Sequence, residues 1–370
     1  MGCTTGSAPG RLDLLGGVAD YSGALVLQMP TRQSIEVVAE PDEALVVGPA
    51  VLSVAETARL AAVRDYGDVR RALEGLPRWT HYVLGVAVVL VRHGVITPPQ
   101  ARLRISSDLP ESVGVASSAA LEVATARALG AGVIDPLRLA ALCQEAENYV
   151  VGAPCGVMDQ VAVAVGSAGA LLPILCRPAS AWPAVTLPPD LEIVGWPTGA
   201  AHDVSGTPYG RARAAAFMGK RMVEESEGRT WTWVSELPPS EVARLPELVG
   251  GAEFVRRWGH TGDPVTTVRP EEVYPVRAAA AFGVEEHARS GEALAALRRG
   301  EPGRLGPLLH ASQACYDAMG LGHPAATAAV EAALGTPGVY GARSSGGGCG
   351  GTVVVVCERG ALDHVDAVIR

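Results

Sequence analysis

A single lysine, Lys220, serves a chain of 370 residues. That scarcity excludes a G-x-x-x-x-G-K-[ST] phosphate loop and leaves any lysine Schiff base to one side chain. Neither H-E-x-x-H nor G-x-S-x-G occurs, so the common zinc-hydrolase and nucleophile-elbow chemistries are missing as well. The seven cysteines (Cys3, Cys143, Cys155, Cys176, Cys315, Cys349 and Cys357) are odd in number, scattered and never spaced C-x-x-C. This argues against a disulfide framework and a zinc cage and predicts reduced, mostly buried thiols. The first residues offer no basic n-region and no apolar h-region, and the myristoylation pattern fails at Gly6, so no secretory or lipid signal is expected. The longest apolar run, YVLGVAVVLV at 82–91, is too short to span a bilayer. A cytoplasmic location is the expectation.

Positive charge is also in deficit, with a formal net charge of −9 and a pI near 5.4. There is no electrostatic footprint for nucleic acid or an anionic membrane, which points to small-molecule chemistry. What is present is an ordinary globular composition, 48% hydrophobic and 19% charged, in a chain long enough for two domains.

The run GALVLQMPTRQSIEVVA at 23–39 alternates like strand with Pro30 as a break, and VLSV at 51–54 continues the β character. Helices are expected over 79–94, from Ser117 through ALGAG, and over 137–152. The proline-rich joint at 177–188 marks the domain boundary. Beyond it strands such as LEIVGWPT alternate with helices, residues 228–275 read as an insertion, and a glycine-rich loop precedes the strand TVVVVCE. No internal repeat of solenoid period is present.

Four stretches carry candidate chemistry. GRLDLLGGVADY at 10–21 is apolar and glycine-broken, yet it holds Arg11, Asp13 and Asp20. Ionised groups resist burial unless paired or used, so a structural Arg–Asp pair and a working site are both open. LPESVGVASSAALEV at 109–123 sets Gly114, Ser117 and Ser118 just before a helix. Free N–H groups there make an anion cradle with hydroxyls, the alternative being a serine N-cap on a core helix. EAENYVVGAPCGVMDQ at 145–160 places Glu147 near a helix end and Asp159 after a proline–glycine turn. Carboxylates near a hydroxyl-bearing phosphate loop suit Mg²⁺, while a solvated glutamate and a capping aspartate are the alternatives. SSGGGCGGT at 344–352 satisfies G-x-G-x-x-G through Gly346, Gly348 and Gly351, but a strand follows where a dinucleotide fold needs a helix. A glycine hairpin remains.

Taken in order, APGRLDLLGGVADY (8–21), PESVGVASSAA (110–120), PCGVMDQ (154–160) and GARSSGGGCGG (341–351) resemble the motifs of the galactokinase branch of the GHMP small-molecule kinases. Order and spacing agree along nearly the whole chain. GRLDLLGGVADYSG, GAPCGVMDQ, AAFMGKRM, GDPVT and MGLG are similar to the plant-type L-arabinose kinases of that family. Those carry an extra N-terminal region, so the resemblance implies their kinase part alone.

The resemblance implies an α/β (α+β) fold of two domains, 1–180 like the second domain of ribosomal protein S5 and 181–370 ferredoxin-like, with the site in the cleft between them. It implies transfer of phosphate from ATP, with Mg²⁺, to the C1 hydroxyl of an aldose. Asp159 would act as base with Arg11 paired to it, and Glu147 with Ser117 or Ser118 would hold Mg²⁺. Gly114, Val115, Ala116, Ser117, Ser118 and Ala119 would wrap the phosphates. Trp79 and Tyr82 would flank adenine, core packing being the alternative. Asp20, Gly156 and Tyr209 match positions that touch the sugar, and Gly346 and Gly347 line its far side.

Departures from the family pattern are Ser112 for glycine, Ala201 for an arginine before His202, and Asp13 for asparagine. The last fits the arabinose-kinase pattern. Gly17 and Val18 replace the Glu-His pair that serves the hexose C6 hydroxyl, which implies a preference for L-arabinose over D-galactose. A Gly17→Glu, Val18→His variant would then recover some galactose use. A galactokinase, a kinase for a related sugar or uronic acid, and a non-catalytic sugar and ATP sensor stay open. The expected partners are sugar and ATP, without nucleic acid or membrane, in a monomer or weak homo-oligomer.

Overall fold

The computed structural model describes residues 2–110, 113–200 and 207–369, so Ser112, Ala201 and His202 lie outside the described residues. By backbone contact the chain divides into two compact units. One comprises Met1–Arg11, Pro30–Glu111 and Ala116–Ala168; the other comprises Leu12–Met29, Ser112–Val115 and Gly169–Arg370. The last crossing therefore falls after Ala168, ahead of the proline-rich joint. Strand pairing is the reason, because residues 25–28 are hydrogen-bonded to residues 172–175 and go with them.

In the first unit, residues 35–41 pair antiparallel with Ala101–Ser107, which pairs parallel with Leu45–Val47, itself in a hairpin with Ala50–Leu52. Pro30 does not break its strand, which runs Leu25–Pro41. The proline falls outside the stretches paired with Ala101–Ser107 and Ala170–Leu175, 35–41 and 25–28, so its missing N–H costs neither of those two ladders a bond. The strand expected over 51–54 stops at Leu52, because Ser53 caps the helix Val54–Ala62 in a reciprocal capping box with Glu56.

The apolar run at 82–91 lies in the helix Arg78–Arg92, buried from Val83 through Leu90. A helix apolar all round belongs in a core. The helix expected over 137–152 is α-helical only over Pro136–Glu145 and continues as a π-helical turn, Ala146–Val151. That turn packs on the helix Arg78–Arg92 at Gly85, where a Cβ would stand 3.1 Å from Val150 Cβ.

In the second unit an antiparallel sheet runs in the order Val339–Ser344, Thr352–Glu358, Leu191–Pro197. Pro324–Leu334 covers it through Ala326, Ala329, Val330 and Ala333, in one core with Val353 and Val355. A second core gathers Val18, Ala19 and Tyr21 with residues of the helices Thr207–Glu227, Val276–Arg298 and Leu305–Met319. The expected insertion at 228–275 holds the short helices Pro239–Arg244 and Gly251–Trp258 and a ladder of Val249–Gly250 with Val273–Tyr274. Cys143, Cys176 and Cys357 are buried, but Cys155, Cys315 and Cys349 are only half-buried and Cys3 is exposed, so the thiols are less uniformly interior than expected. Among the described residues no helix is long and apolar enough to cross a membrane.

Candidate active site

In the first unit the site begins at the N-terminus of the helix Ser117–Ala128. Its cap is Ala116, in the left-handed region at φ 59°, and among the described residues no side-chain cap hydrogen bond is made there. The serine N-cap reading therefore falls: Ser117 and Ser118 are the first helical residues. An L-residue held left-handed costs about 1–2 kcal/mol, and an alanine at the cap has no side-chain oxygen to offer the first-turn N–H groups. Ala116 and Ala119 are buried and Ser117 and Ser118 partly exposed; of the second unit's residues in the loop ahead, Val115 is buried and Gly114 partly exposed.

The Ser118 hydroxyl hydrogen-bonds Glu147 on the π turn. Gln160 Nε2 donates to Glu147 Oε2 at 2.5 Å and to Glu122 Oε2 at 3.1 Å. Burial, then the nearby Asp159 carboxylate, pushes Glu147 up to about 7. Burial also pushes Glu122, which is fully buried with Oε1 unpartnered, well above the usual carboxylate range. Both acids thus accept from one neutral amide, that of Gln160. A carboxylate and a hydroxyl oxygen are hard donors that fit Mg²⁺, an ion that takes few protein oxygens beside substrate phosphates.

Arg11 answers the question of the buried charges. Its Nε and Nη2 donate to the two oxygens of Asp159 at 2.8 and 2.9 Å. The Arg11 side chain is 3% exposed and that of Asp159 is 24% exposed, so the arginine braces from within a carboxylate that reaches solvent. Asp159 stands in the first turn of Met158–Val165, whose cap is Val157, so it is not a capping aspartate. Gly156 is buried in the turn ahead of that helix. Tyr82 is half-buried; burial, then Glu147 and Glu122, push its phenol up. Trp79 is 42% exposed beside Gly48, which overturns core packing for that ring.

In the second unit Asp13 is fully buried and ties two segments together. It accepts from Gln28 Nε2 at 2.6 Å, from the Gly17 N–H at 3.1 Å and from the Gly346 N–H at 3.2 Å, and it pairs with Arg343 at 3.2 Å. Residues 345–351 join two antiparallel strands, as the glycine-hairpin reading requires. Asp20, 5% exposed, accepts from the Tyr21 N–H at 2.7 Å. Tyr209 meets Tyr21 edge to face at 6.1 Å. Gly346 and Gly347 are buried in the hairpin.

Gly17 and Val18 differ from expectation. Val18 is 1% exposed and its side chain belongs to the hydrophobic core. Gly17 has φ +47°, and a Cβ there would stand 1.7 Å from the Tyr316 hydroxyl. The Gly17→Glu, Val18→His variant would collide rather than recover galactose use.

Sequence reasoning missed Glu122, Gln160, Tyr316 and Arg343. Glu122 had a readable signal, the lone carboxylate of an alanine-rich helix, four residues after Ser118.

Residues 81–167 match the GHMP kinases N terminal domain and residues 293–368 match GHMP kinases C terminal. The chain is 31% identical to an L-arabinokinase of Arabidopsis thaliana over 94% of its own length, and it spans 42% of that protein. It is 30% identical to a galactokinase of Chloroflexus aurantiacus, with 98% of this chain and 85% of that protein covered. The structure of a Lactococcus lactis galactokinase complexed with galactose has the same fold, at TM-score 0.78 and 21% identity, covering 99% of this chain and 88% of that one. The chain belongs to the GHMP kinases, among their galactokinase-like members.

Proposed function

We propose that this protein transfers the γ-phosphoryl group of ATP to the C1 hydroxyl of an aldose, and that its aldose is L-arabinose. The observation that carries the reaction is the Arg11–Asp159 pair, a carboxylate gripped at both oxygens by a buried guanidinium and open on its other side. Asp159 takes the proton of the C1 hydroxyl as that oxygen bonds to the γ-phosphorus. The bond from phosphorus to the β–γ bridging oxygen breaks, leaving ADP and an aldose 1-phosphate. Arg11 orients the base and places positive charge near the transferring group, so the protein's work is positioning and electrostatics.

The uncapped first turn at Ser117 offers N–H groups to the ATP phosphates. Glu147 and Ser118, with Ser117 adjacent, would hold Mg²⁺, which when bound neutralises charge on those phosphates. Trp79, exposed and planar, is available to an adenine ring.

Arabinose is supported by the likeness to the Arabidopsis L-arabinokinase and by the GRLDLLGGVADYSG and GAPCGVMDQ motifs. Galactose is the second reading, supported by the galactokinase relatives at similar identity. Coupled ADP release over a panel of aldoses decides between them. The expected result is kcat/KM for L-arabinose about tenfold or more above that for D-galactose. Values that are equal, or higher for galactose, overturn the arabinose assignment, and no ADP release with any aldose overturns the kinase.

A further inference from the structure

We infer that Tyr316 is the positioning residue of the sugar subsite, a clamp that holds the turn Gly17–Ser22 against the glycine hairpin and requires glycine at position 17. The inference rests on the sugar-kinase reading above, with Asp20 of this turn and Gly346 and Gly347 of the hairpin taken to meet the sugar as the family resemblance implies.

Tyr316 stands on the helix Leu305–Met319 and is fully buried. Its hydroxyl accepts from the Val18 N–H at 3.0 Å and donates to the Gly346 carbonyl at 2.5 Å. A phenol has one proton to give. With that proton committed to Gly346, Tyr316 acts on the substrate only through the two segments it joins. Its ring is set by Phe282, edge to face at 5.4 Å, and by the Arg343 guanidinium 4.8 Å from its centroid.

Gly17 is the other half of the device. A Cβ on Gly17 would stand 1.7 Å from the Tyr316 hydroxyl, 2.8 Å from Cζ and 3.2 Å from Arg343 Nη2. The space that a side chain at 17 would need is therefore filled by the phenol, and the two residues are a matched pair. Asp13 reinforces the same joint, accepting from the Gly17 and Gly346 N–H groups at 3.1 and 3.2 Å. Two buried side chains thus tie one turn to one hairpin, and the spacing between those segments is set by the tyrosine's reach.

The test is Tyr316→Phe, with Gly17→Ala and the double variant beside it. Removing the hydroxyl strands the Val18 N–H and the Gly346 carbonyl. The expected result is a KM for the sugar raised about fivefold or more, with kcat and the KM for ATP within about twofold. Gly17→Ala is expected to raise the sugar KM by pushing the clamp from the other side. The double variant should lose less than the product of the two single effects, since Phe removes the nearest colliding atom. An unchanged sugar KM in Tyr316→Phe, a parallel rise in the KM for ATP, or multiplicative effects overturns the clamp. Amide exchange in the substrate-free protein gives a readout independent of turnover. Faster exchange at Val18 in Tyr316→Phe supports the clamp and unchanged exchange overturns it, even if the aldose panel removes the kinase reading.

Discussion

Asp159 and Glu147 lie in one first-unit cluster but are asked for different work, and single substitutions separate them. Asp159→Asn keeps the size of the side chain and an oxygen for Arg11 while removing the proton acceptor. Turnover is expected to fall by about 10²-fold or more, with KM for ATP and sugar little changed. Undiminished kcat in the purified variant would take Asp159 out of the proton transfer. Glu147→Ala removes a carboxylate that burial and Asp159 already hold near neutrality, up to about 7. The Mg²⁺ concentration for half-maximal activity should rise about 10- to 100-fold, as for the loss of a group that orients or ligates a metal. A superimposable Mg²⁺ titration would make Glu147 a structural residue. The bidentate grip on Asp159 could not be read at Arg11, because the partner lies 148 positions away. The residues themselves showed only that charge sat where charge is costly, and it was the resemblance of the motifs that implied the pair.

At the scale of elements, the helix Arg78–Arg92 was visible from its apolar run, and its burial follows from that run. The π turn Ala146–Val151 that presents Glu147 was not, since hydrophobic periodicity does not distinguish one widened turn from continued α-helix. The two meet at Gly85. Gly85→Val would drive a branched side chain into Val150, so a loss of about 1–3 kcal/mol in urea unfolding is expected. A raised Mg²⁺ requirement should accompany it, because the displaced turn carries Glu147. Loss of stability with an unchanged Mg²⁺ requirement would uncouple the packing from the site. The capping box at Ser53 and Glu56 is written in the sequence as S-x-x-E, and the β-rich VLSV beside it masks the helix start.

At the scale of the whole molecule, His287 makes stability depend on pH. Its Nδ1 accepts the Leu25 N–H at 2.9 Å, a bond that exists only with that nitrogen unprotonated. Burial, then Arg177, holds this imidazole below its ordinary range, against a smaller opposite pull from Glu236. Below about pH 6.5 the unfolded chain takes up a proton that the folded chain resists, so stability is full above that pH and falls as pH drops through the folded value. Thermal unfolding should show a smaller loss between about pH 7.5 and 5.5 in His287→Gln than in the unmodified protein. Equal losses would remove His287 as the cause.

The sequence by itself determined the family, the order of the motifs, the α/β class and the residue types of the candidate site, because these are local: a glycine, a serine pair and an aspartate are read where they stand. Tertiary structure gave the Arg11–Asp159 pair, implied by the family resemblance, its two-oxygen geometry, and it alone decided that Asp13 meets Arg343. It also decided that Leu12–Met29 goes with the second compact unit. The same holds for Val18, turned into a core, and Gly17, set against Tyr316. The physical reason is that burial and pairing depend on what packs from distant parts of the chain, and an apolar residue reads the same whether it faces a core or a ligand.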